Sequence, residues 1–485
     1  MRKRILLFLF LLACGSVFLT ACQPEPLPDD RLPVVTPVEQ TRQPFPAPIS
    51  TPVPTPTQTA TPEFLVPLEE LDSQVIQMWH PWVGDIARQI DLQVDRFNQT
   101  NEWGIHVEVE RVGSSMALAQ RFEEGFNDPD APPNVVIAPS EHLHYWFERD
   151  RQVVVLNDLL SDPVWGLSEP QRAGFPFVFW QQDQTDGLQL GIPVQRTARV
   201  FYYNLTWASE LGFTRPPTTL EEFKAHACAA AEANNAGRIP DNFNTGGWIV
   251  DTDGLTVYTW FKAFGLDSPW RDDPPGFTFE QPAAQQALEF LRGMVDEGCA
   301  WFSRSPAHDE QFAQRRALFY SGSLLDLPMH TRTMQRMESQ DVWMLLPFPG
   351  FVHDRPTVIV SGLSYGIIDS TPEQEMAAWL FVRWMNSSEI QASLLQAGGG
   401  LPVSSAAAGM TEEFRRQYPQ WGPALQWIPI AKAAPTVSDW RVARFVLEDG
   451  AWYALQFFVE PERIPAILTQ IDETIREVVK HGGSP

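Results

Sequence analysis

The hydrophobic positions between residues 75 and 138 follow two periodicities in turn. Alternating or continuous apolar runs at 75–80, 105–109 and 135–138 predict three strands, the last of them buried on both faces. Apolar residues recur at helical spacing over 86–97, and a second helix is predicted from 113 to 126. This order of strands and helices is typical of an α/β domain with a mostly parallel sheet.

From residue 188 onward the pattern indicates a second α/β region, with no internal repeat. An aromatic strand is predicted over 199–204, and Thr219 is placed to cap a helix with an acidic first turn. Further predicted elements are helices near 282–297 and 308–318, strands at 318–320 and 358–360, and helices over 371–386, 440–458 and 461–480.

Polar and aromatic residues follow each of the first three predicted strands. They are Trp79 and His80, then residues 113–115, then residues 139–141. In parallel sheets, ligands bind beyond the carboxyl ends of the strands. We therefore expect these three segments to converge on one site.

Residues 1–21 have the layout of an export signal. Three basic residues at 2–4 precede an apolar run over 5–19, and this run is shorter than the about 20 residues that a membrane-spanning helix needs. The tetrapeptide at 19–22 resembles a bacterial lipobox, in which Cys22 is lipid-modified and becomes the new N-terminus. The mature protein would then be extracytoplasmic and lipid-anchored to the outer face of the cell membrane. An ordinary secretory peptide cleaved near Ala21 is the alternative.

Residues 22–69 form a Pro- and Thr-rich segment with almost no aromatic content. Such a composition cannot bury enough apolar surface to offset the entropy of ordering, so we predict a disordered tether. Pro-rich linkers extend by about 3.1 Å per residue, which gives this one a reach on the order of 100 Å.

Charge and aromatic content narrow the class of ligand. The net charge of −25 argues against nucleic acid and against binding flat on anionic lipid. The 18 Trp and 31 Phe residues provide rings that can stack on sugars, although most belong to the core. No Cys-x-x-Cys or paired-His spacing supports a metal site, and we expect no cofactor.

Two cysteines, Cys228 and Cys299, lie in the predicted globular body. Because an even pair in an oxidising compartment often bridges, we predict a disulfide between them. Two buried free thiols are the alternative.

Short motifs occur in a characteristic order over nearly the whole body. The longest run extends from Gly191-Ile192-Pro193 through 202–204 to 217–223. The others are Trp79-His80, Phe97-Asn98, 133–138, 156–160, 316–318, 321–323, 377–381 and Leu401-Pro402. In this order the chain resembles the extracellular solute-binding proteins of ABC importers, in particular the sugar-binding family that includes maltose-binding protein. It departs from that family at 321–325, which carries no Trp.

The resemblance implies a two-lobed α/β fold of the periplasmic-binding-protein type (type II), with the ligand cleft between lobes joined by crossing strands. The crossings would fall near 191–197 and 364–368. The first lobe would hold 70–192 and 369–425, and the second lobe 193–368 and 426–485. The resemblance also implies a monomer that closes on a small-molecule sugar and delivers it to ABC transporter permease subunits.

Sugar binding requires aromatic faces for the ring C–H surfaces and polar side chains for the hydroxyls. The predicted aromatic residues are Trp79, Trp82, Tyr203 and Trp248. The predicted polar residues are His80, Ser114, Ser115, Ser140, Glu141 and Arg196, backbone groups of Ser323 and Gly362, and Arg441 for an anionic group.

Several of these residues have a structural alternative. Trp79 and Tyr203 could belong to the core, and His80 could only shape a turn. Ser114 and Ser115 could cap a helix. Arg196 could pair with an acidic residue at the hinge.

The alternatives for function come from two classes. Hydrolase and phosphate-loop motifs are missing from the sequence, so we expect no enzymatic activity, with a two-carboxylate surface glycoside hydrolase as the alternative. A binding protein that serves a membrane sensor would have the same fold. Among binding proteins, the alternative ligand is glycerol-3-phosphate or another small anionic solute, held by Arg196 or Arg441.

Overall fold

The computed structural model describes residues 66–125, 132–237, 239–350 and 355–482. The predicted export signal at 1–21, Cys22 and nearly all of the predicted tether lie outside these residues. Phe126, the predicted end of the second helix, also lies outside them. Within the described ranges, no helix combines the length and apolarity that crossing a membrane requires.

The described part of the chain alternates strands with helices. The strands are β1 Val75–His80, β2 His106–Arg111, β3 Val135–Pro139, β4 Gln184–Thr185, β5 Leu188–Gln189, β6 Ile192–Asn204, β7 Trp248–Ile249, β8 Trp270–Asp272, β9 Pro275–Phe277, β10 Ala300–Trp301, β11 Phe319–Ser323, β12 Trp343–Leu346, β13 Ile359–Ile367 and β14 Lys432–Ala433.

The helices are α1 Gly84–Thr100, α2 Ser115–Glu124, α3 Ser140–Asp150, α4 Asn157–Ser161, α5 Glu169–Ala173, α6 Phe177–Trp180, α7 Leu205–Glu210, α8 Leu220–Ala236, α9 Gly254–Ala263, α10 Pro282–Asp296, α11 His308–Ala313, α12 Leu327–Arg336, α13 Pro372–Met385, α14 Ser388–Gly398, α15 Ser405–Ala408, α16 Glu412–Gln417, α17 Trp440–Ala454 and α18 Ile464–Lys480. A 3₁₀ segment covers Pro419–Ile430.

The two periodicities of residues 75–138 correspond to the first elements of the fold. The three predicted strands match β1, β2 and β3, which pair in parallel with β1 in the middle. Ile86, Ile90, Val94 and Phe97 lie on the buried face of α1, and every residue of β3 is buried. The predicted mixed α/β fold class is confirmed.

Ten strands form one sheet in the order β10–β7–β11–β6–β13–β3–β1–β2, with β12 on β6 and β14 on β13. At its centre β6 and β13 run antiparallel to each other. The first part of β6 pairs with β13 as far as Ala198, and the part from Arg199 onward pairs with β11 and β12. The long strand β6 therefore connects two halves of the sheet.

The hydrophobic core divides in the same way. Two clusters gather α1, α2, α3, α13 and the start of α14 around β1–β3, which we call the first half. Two other clusters gather α8–α12, α17 and α18 around β7 and β10–β12, which we call the second half.

The packing of Phe414 and Trp421 differs from the predicted lobes, in which 369–425 belongs to the first. Phe414 and Trp421 lie in a cluster with Tyr320 of β11, in the second half. Trp421 is fully buried there, and its Nε1 donates a hydrogen bond to the Gly400 carbonyl at 2.7 Å. Because these apolar side chains are buried against the second half, residues 414–421 pack with it. The backbone N–H of Ser405, by contrast, donates to the Gly174 carbonyl at 2.8 Å, next to Phe175 of a first-half cluster.

Candidate functional site

A cavity of about 610 Å³ lies between the two halves. Gln195 and Thr197 of β6, together with Ser361, Gly362 and Leu363 of β13, form its floor. Since the strands that connect the halves also line the cavity, a change in the angle between the halves would change its width.

The first wall of the cavity comes from the residues that follow three parallel strands. Trp82 follows β1, Ser114 and Ser115 follow β2, and Ser140 and Glu141 follow β3. Parallel strands bring their carboxyl ends to one edge of the sheet, so these residues converge. The convergence predicted for 113–115 and 139–141 is confirmed, whereas Trp79 and His80, the residues predicted after β1, do not line the cavity. Helices α2 and α3 begin at this edge, which directs their unpaired backbone N–H groups toward the cavity side.

The second wall combines residues that are far apart in the sequence. Arg199 lies on β6, Asp253 caps α9, and Ser323 ends β11. The remaining contribution comes from α17, where residues at a spacing of four share one face of the helix. These residues are Trp440, Arg444 and Glu448.

Both arginines in the cavity wall are paired with carboxylates. Arg199 lies 2.8 Å from Asp253 and 3.3 Å from Asp251. Arg444 lies 3.5 Å from Glu141, which belongs to the opposite wall. Burial raises the pKa of Glu141, and the positive charge of Arg444 opposes that rise.

Glu448 is the carboxylate of the cavity wall whose negative charge has the fewest partners. Among the described residues it has neither a hydrogen bond nor an ion pair. Burial raises its pKa, the negative charges of Asp253 and Asp251 raise it further, and the positive charge of Arg444 opposes the rise in part. With Glu141, Asp253 and Glu448 facing two arginines, the cavity wall carries an excess of negative charge.

A fully buried polar cluster fixes the first wall to the floor of the cavity. Arg196 and Asp183 form an ion pair at 2.8 Å, and both side chains are fully buried. Asp183 also accepts hydrogen bonds from Ser140 Oγ at 2.6 Å and Ser364 Oγ at 2.7 Å. Arg196 donates to the Leu363 carbonyl at 2.7 Å. The cluster therefore links the start of α3 to both connecting strands.

Seven predicted binding residues line the cavity: Trp82, Ser114, Ser115, Ser140, Glu141, Ser323 and Gly362. Trp82 is oriented by a hydrogen bond from its Nε1 to Gln195 Oε1 at 3.2 Å. Ser114 also caps α2, with its Oγ accepting from the backbone N–H of Ala117. Ligand contact by these residues stays a prediction.

Three of the predicted aromatic residues lie in the core instead. Trp79 packs in the cluster of α2 and α3, with the Arg121 guanidinium 4.2 Å from its ring centre. Tyr203 and Trp248 are fully buried in the second half, where the Tyr203 hydroxyl lies 3.0 Å from His226 Nδ1. Core covers both faces of the sheet at these positions, since the neighbours Met78, Tyr202 and Ile249 are buried as well.

Three predicted polar residues also lie outside the cavity lining. His80 is fully buried, its Nδ1 accepts a hydrogen bond from the backbone N–H of Trp82, and burial lowers its pKa to about 4. Arg196 forms the buried ion pair with Asp183. This pairing is the alternative to ligand binding that the sequence left open for Arg196. The Arg441 guanidinium lies 3.6 Å from the centre of the Tyr145 ring.

Most of the second wall is absent from the sequence-based predictions. Trp440 and Arg444 stand one turn apart near the start of a predicted helix, and that spacing is the one local signal that could have paired them. Arg199 and Asp253 carry no such signal. The two side chains come close to each other only through the packing of β6 against the start of α9.

Cys228 of α8 and Cys299 are joined by a disulfide, so the predicted bridge is confirmed. With Glu297 they form the one grouping of metal-type ligands found among the described residues. Both sulfurs are committed to the disulfide, and neither cysteine lines the cavity.

The chain matches the family described as bacterial extracellular solute-binding protein over residues 93–419. Among related proteins, the sn-glycerol-3-phosphate-binding periplasmic protein UgpB of Yersinia pestis is 21% identical over 356 residues, which cover 71% of this chain and 78% of the relative.

Solved structures share the fold at low sequence identity. The sugar-binding protein MalE from Xanthomonas citri superposes with a TM-score of 0.70 at 18% identity, covering 83% of this chain and 98% of that chain. UgpB from Mycobacterium tuberculosis, solved in complex with glycerophosphocholine, superposes with a TM-score of 0.68 at 18% identity, covering 84% and 99%. These likenesses confirm the predicted two-lobed α/β fold, and the family match spans well over half of the chain. The chain therefore belongs to the bacterial extracellular solute-binding proteins.

Proposed function

We propose that the protein binds a carbohydrate in the cavity between its lobes, closes on it, and delivers it unaltered to the permease subunits of an ABC importer. The cavity wall carries this proposal. Trp82 provides a ring face, and serine hydroxyls from both walls provide donors and acceptors. This combination suits a sugar, whose C–H surfaces stack on rings while its hydroxyls form hydrogen bonds.

A second candidate ligand is glycerol-3-phosphate or another small anionic solute. The similarity to UgpB of Yersinia pestis favours it, and so does the presence of Arg199 and Arg444 in the cavity wall. We favour an uncharged sugar because both arginines already contact carboxylates. A phosphate would have to displace those carboxylates and then face a wall with excess negative charge.

We further propose that the protein is a monomer tethered outside the cytoplasm through a lipid on Cys22. The extracellular family supports the compartment, and the tetrapeptide at 19–22 supports the lipid. Mass spectrometry of the N-terminal peptide from a membrane fraction tests this. An acylated Cys22 is expected, and an unmodified N-terminus at or near that residue would leave a secreted protein without an anchor.

A thermal-shift screen of the purified chain tests the ligand class. The panel holds mono-, di- and oligosaccharides, glycerol-3-phosphate and glycerophosphocholine, with hits measured by titration calorimetry. A sugar hit raises Tm through preferential binding to the folded state, and its affinity changes little with salt. A glycerol phosphate hit with strong salt dependence would overturn the carbohydrate proposal in favour of the anionic one.

Chromatography of the same incubations separates binding from catalysis. We expect the sugar to be recovered unchanged, whereas shortened products would indicate a glycoside hydrolase. A protein that serves a membrane sensor instead of a permease would give the same results in all of these experiments. Identifying the membrane protein that copurifies with the chain distinguishes a permease partner from a sensor partner.

A further inference from the structure

Helices α3 and α17 contact each other although they belong to different halves. The apolar face of α3 packs into the first half through Leu143 and Trp146. The apolar face of α17 packs into the second half through Ala443 and Leu447. Because each helix is anchored in its own core, a contact between their polar faces joins the two halves.

Two contacts between described side chains contribute to this junction. Glu141 of α3 lies 3.5 Å from Arg444 of α17 in an ion pair. One turn away on each helix, the Arg441 guanidinium lies 3.6 Å from the centre of the Tyr145 ring, within the range of a cation–π interaction. Arg441 is only 4% exposed, which strengthens such an interaction through desolvation.

The junction lies on the cavity side of the connecting strands. Glu141 and Arg444 both line the cavity, one from each wall, and the floor is formed by β6 and β13. Rotation of the halves about these strands would widen the cavity and separate α3 from α17. The two contacts can therefore form only when the halves are close together.

We propose that Glu141–Arg444 and Tyr145–Arg441 form a latch that holds the two halves together in the absence of ligand and so sets the apparent affinity. The latch rests on the proposed closure of the lobes. A ligand that binds the closed form gains affinity in proportion to the population of that form. These residues act as positioning residues, and Tyr145 and Arg441 do so from outside the cavity lining.

Small-angle X-ray scattering of the ligand-free protein tests the latch. Tyr145→Leu removes the ring, and we expect the ratio of open to closed molecules to rise about fivefold, with a larger radius of gyration. Tyr145→Phe is the matched control, because it keeps the ring and removes only the hydroxyl, and it should scatter like the wild type. Arg444→Gln should open the protein as well, and high salt should do the same to the wild type by screening the ion pair.

Identical scattering from the wild type, Tyr145→Leu and Arg444→Gln would overturn the latch. If Tyr145→Leu fails to fold, Arg444→Gln and the salt series decide, since Arg444 is partly exposed. The charge-swapped variant Glu141→Arg with Arg444→Glu should restore the compact form. No ligand enters these measurements, so a failed sugar screen and a failed latch are separate results.

Discussion

The two walls of the cavity differ both in how the chain builds them and in the charge they carry. The first wall follows the ends of three successive parallel strands and has a single charged side chain, Glu141. The second wall is assembled from one connecting strand, two helices and the end of β11. It carries four charged side chains, which are Arg199, Asp253, Arg444 and Glu448.

This difference indicates that the two walls would contribute different interactions to ligand binding. The first wall offers hydroxyls and the Trp82 ring, groups that suit almost any sugar. The second wall places charges that compensate one another in part, and under the proposed function these charges would distinguish neutral from charged ligands. Selectivity for ligand charge would then depend mainly on residues that sequence patterns did not reveal.

The largest effect is expected where the first wall joins the floor. Arg196→Met leaves Asp183 fully buried without its cation, and it also removes the donor to the Leu363 carbonyl. We expect the free energy of unfolding to fall by about 3–5 kcal/mol, because an unpaired buried charge is costly. Urea unfolding at pH 7 measures this loss.

Arg416→Met serves as the control, because Arg416 pairs with Glu413 in an exposed ion pair. That variant should lose no more than about 1 kcal/mol. Equal, small losses in both variants would show that the buried cluster does not support the wall.

Acidification is expected to destabilise both halves through buried histidines. Burial lowers the pKa of His330 in the second half to about 3, so it stays neutral in the folded protein. The unfolded chain takes up this proton near pH 6.5, so stability falls as pH falls from 6.5 toward 3. The loss can reach a few kcal/mol, since each pH unit between the two pKa values corresponds to about 1.36 kcal/mol.

A His330→Gln variant isolates this contribution, because it keeps an acceptor for the Tyr320 hydroxyl, which lies 2.7 Å from His330 Nδ1. The stability gap between wild type and variant should shrink from pH 7 to pH 4 in urea unfolding. Carboxyl groups with raised pKa values, such as Asp326, act in the opposite direction but are common to both proteins. A gap that does not change with pH would contradict the assignment.

His142 of α3, below the first wall, can be compared with His330 of the second half. Burial lowers the pKa of His142 to about 3, and the positive charges of Arg444 and Arg441 contribute to the lowering. His330 lacks this contribution from arginines. In Arg444→Gln, the nuclear magnetic resonance titration of His142 should therefore move toward higher pH, while that of His330 should not move.

The first half was predictable because its elements obey local rules. The alternation in 75–80, the helical spacing of Ile86 to Phe97 and the continuous apolar run of β3 each indicate one element. Parallel pairing then brings the strand ends together without further information. Five of the seven predicted residues that line the cavity come from this wall.

Several helices and strands of the second half were predicted, but the residues that it directs to the cavity escaped prediction for two physical reasons. In the aromatic part of β6 both faces of the strand meet core, with Tyr202 in one cluster and Tyr203 in another, so alternation could not tell a cavity residue from a core residue. In α17, the residues that line the cavity lie where the helix packs against α9, whose first residue, Gly254, is in close contact with the Arg444 backbone. Contacts over such a sequence distance leave no local pattern.

Loss of the ring on the first wall is expected to reduce affinity. Trp82→Ala removes the aromatic face, and we expect about tenfold or weaker binding of the sugar that gives the largest thermal shift. Trp82→Phe keeps a ring and should retain most of the affinity. Trp452→Ala is the control, since Trp452 is exposed and lies outside the cavity lining. Titration calorimetry that finds Trp82→Ala no weaker than Trp452→Ala would remove Trp82 from the site.

The smallest expected effect on stability comes from replacing one carboxylate in each wall, Glu448 or Glu141. Glu448 has no hydrogen bond or ion pair among the described residues, and burial followed by the charges of Asp253 and Asp251 raises its pKa. Its ionised form therefore destabilises the folded protein above that pKa. We expect Glu448→Gln to gain a few tenths of a kcal/mol at pH 7, and this gain should vanish by about pH 4, where the carboxyl is protonated in both states. Glu141→Gln should gain less at pH 7, because the pKa of Glu141 is raised as well but the change also removes the partner of Arg444. Thermal unfolding at both pH values decides, and equal gains in both variants would mean that the two walls hold their carboxylates in the same way.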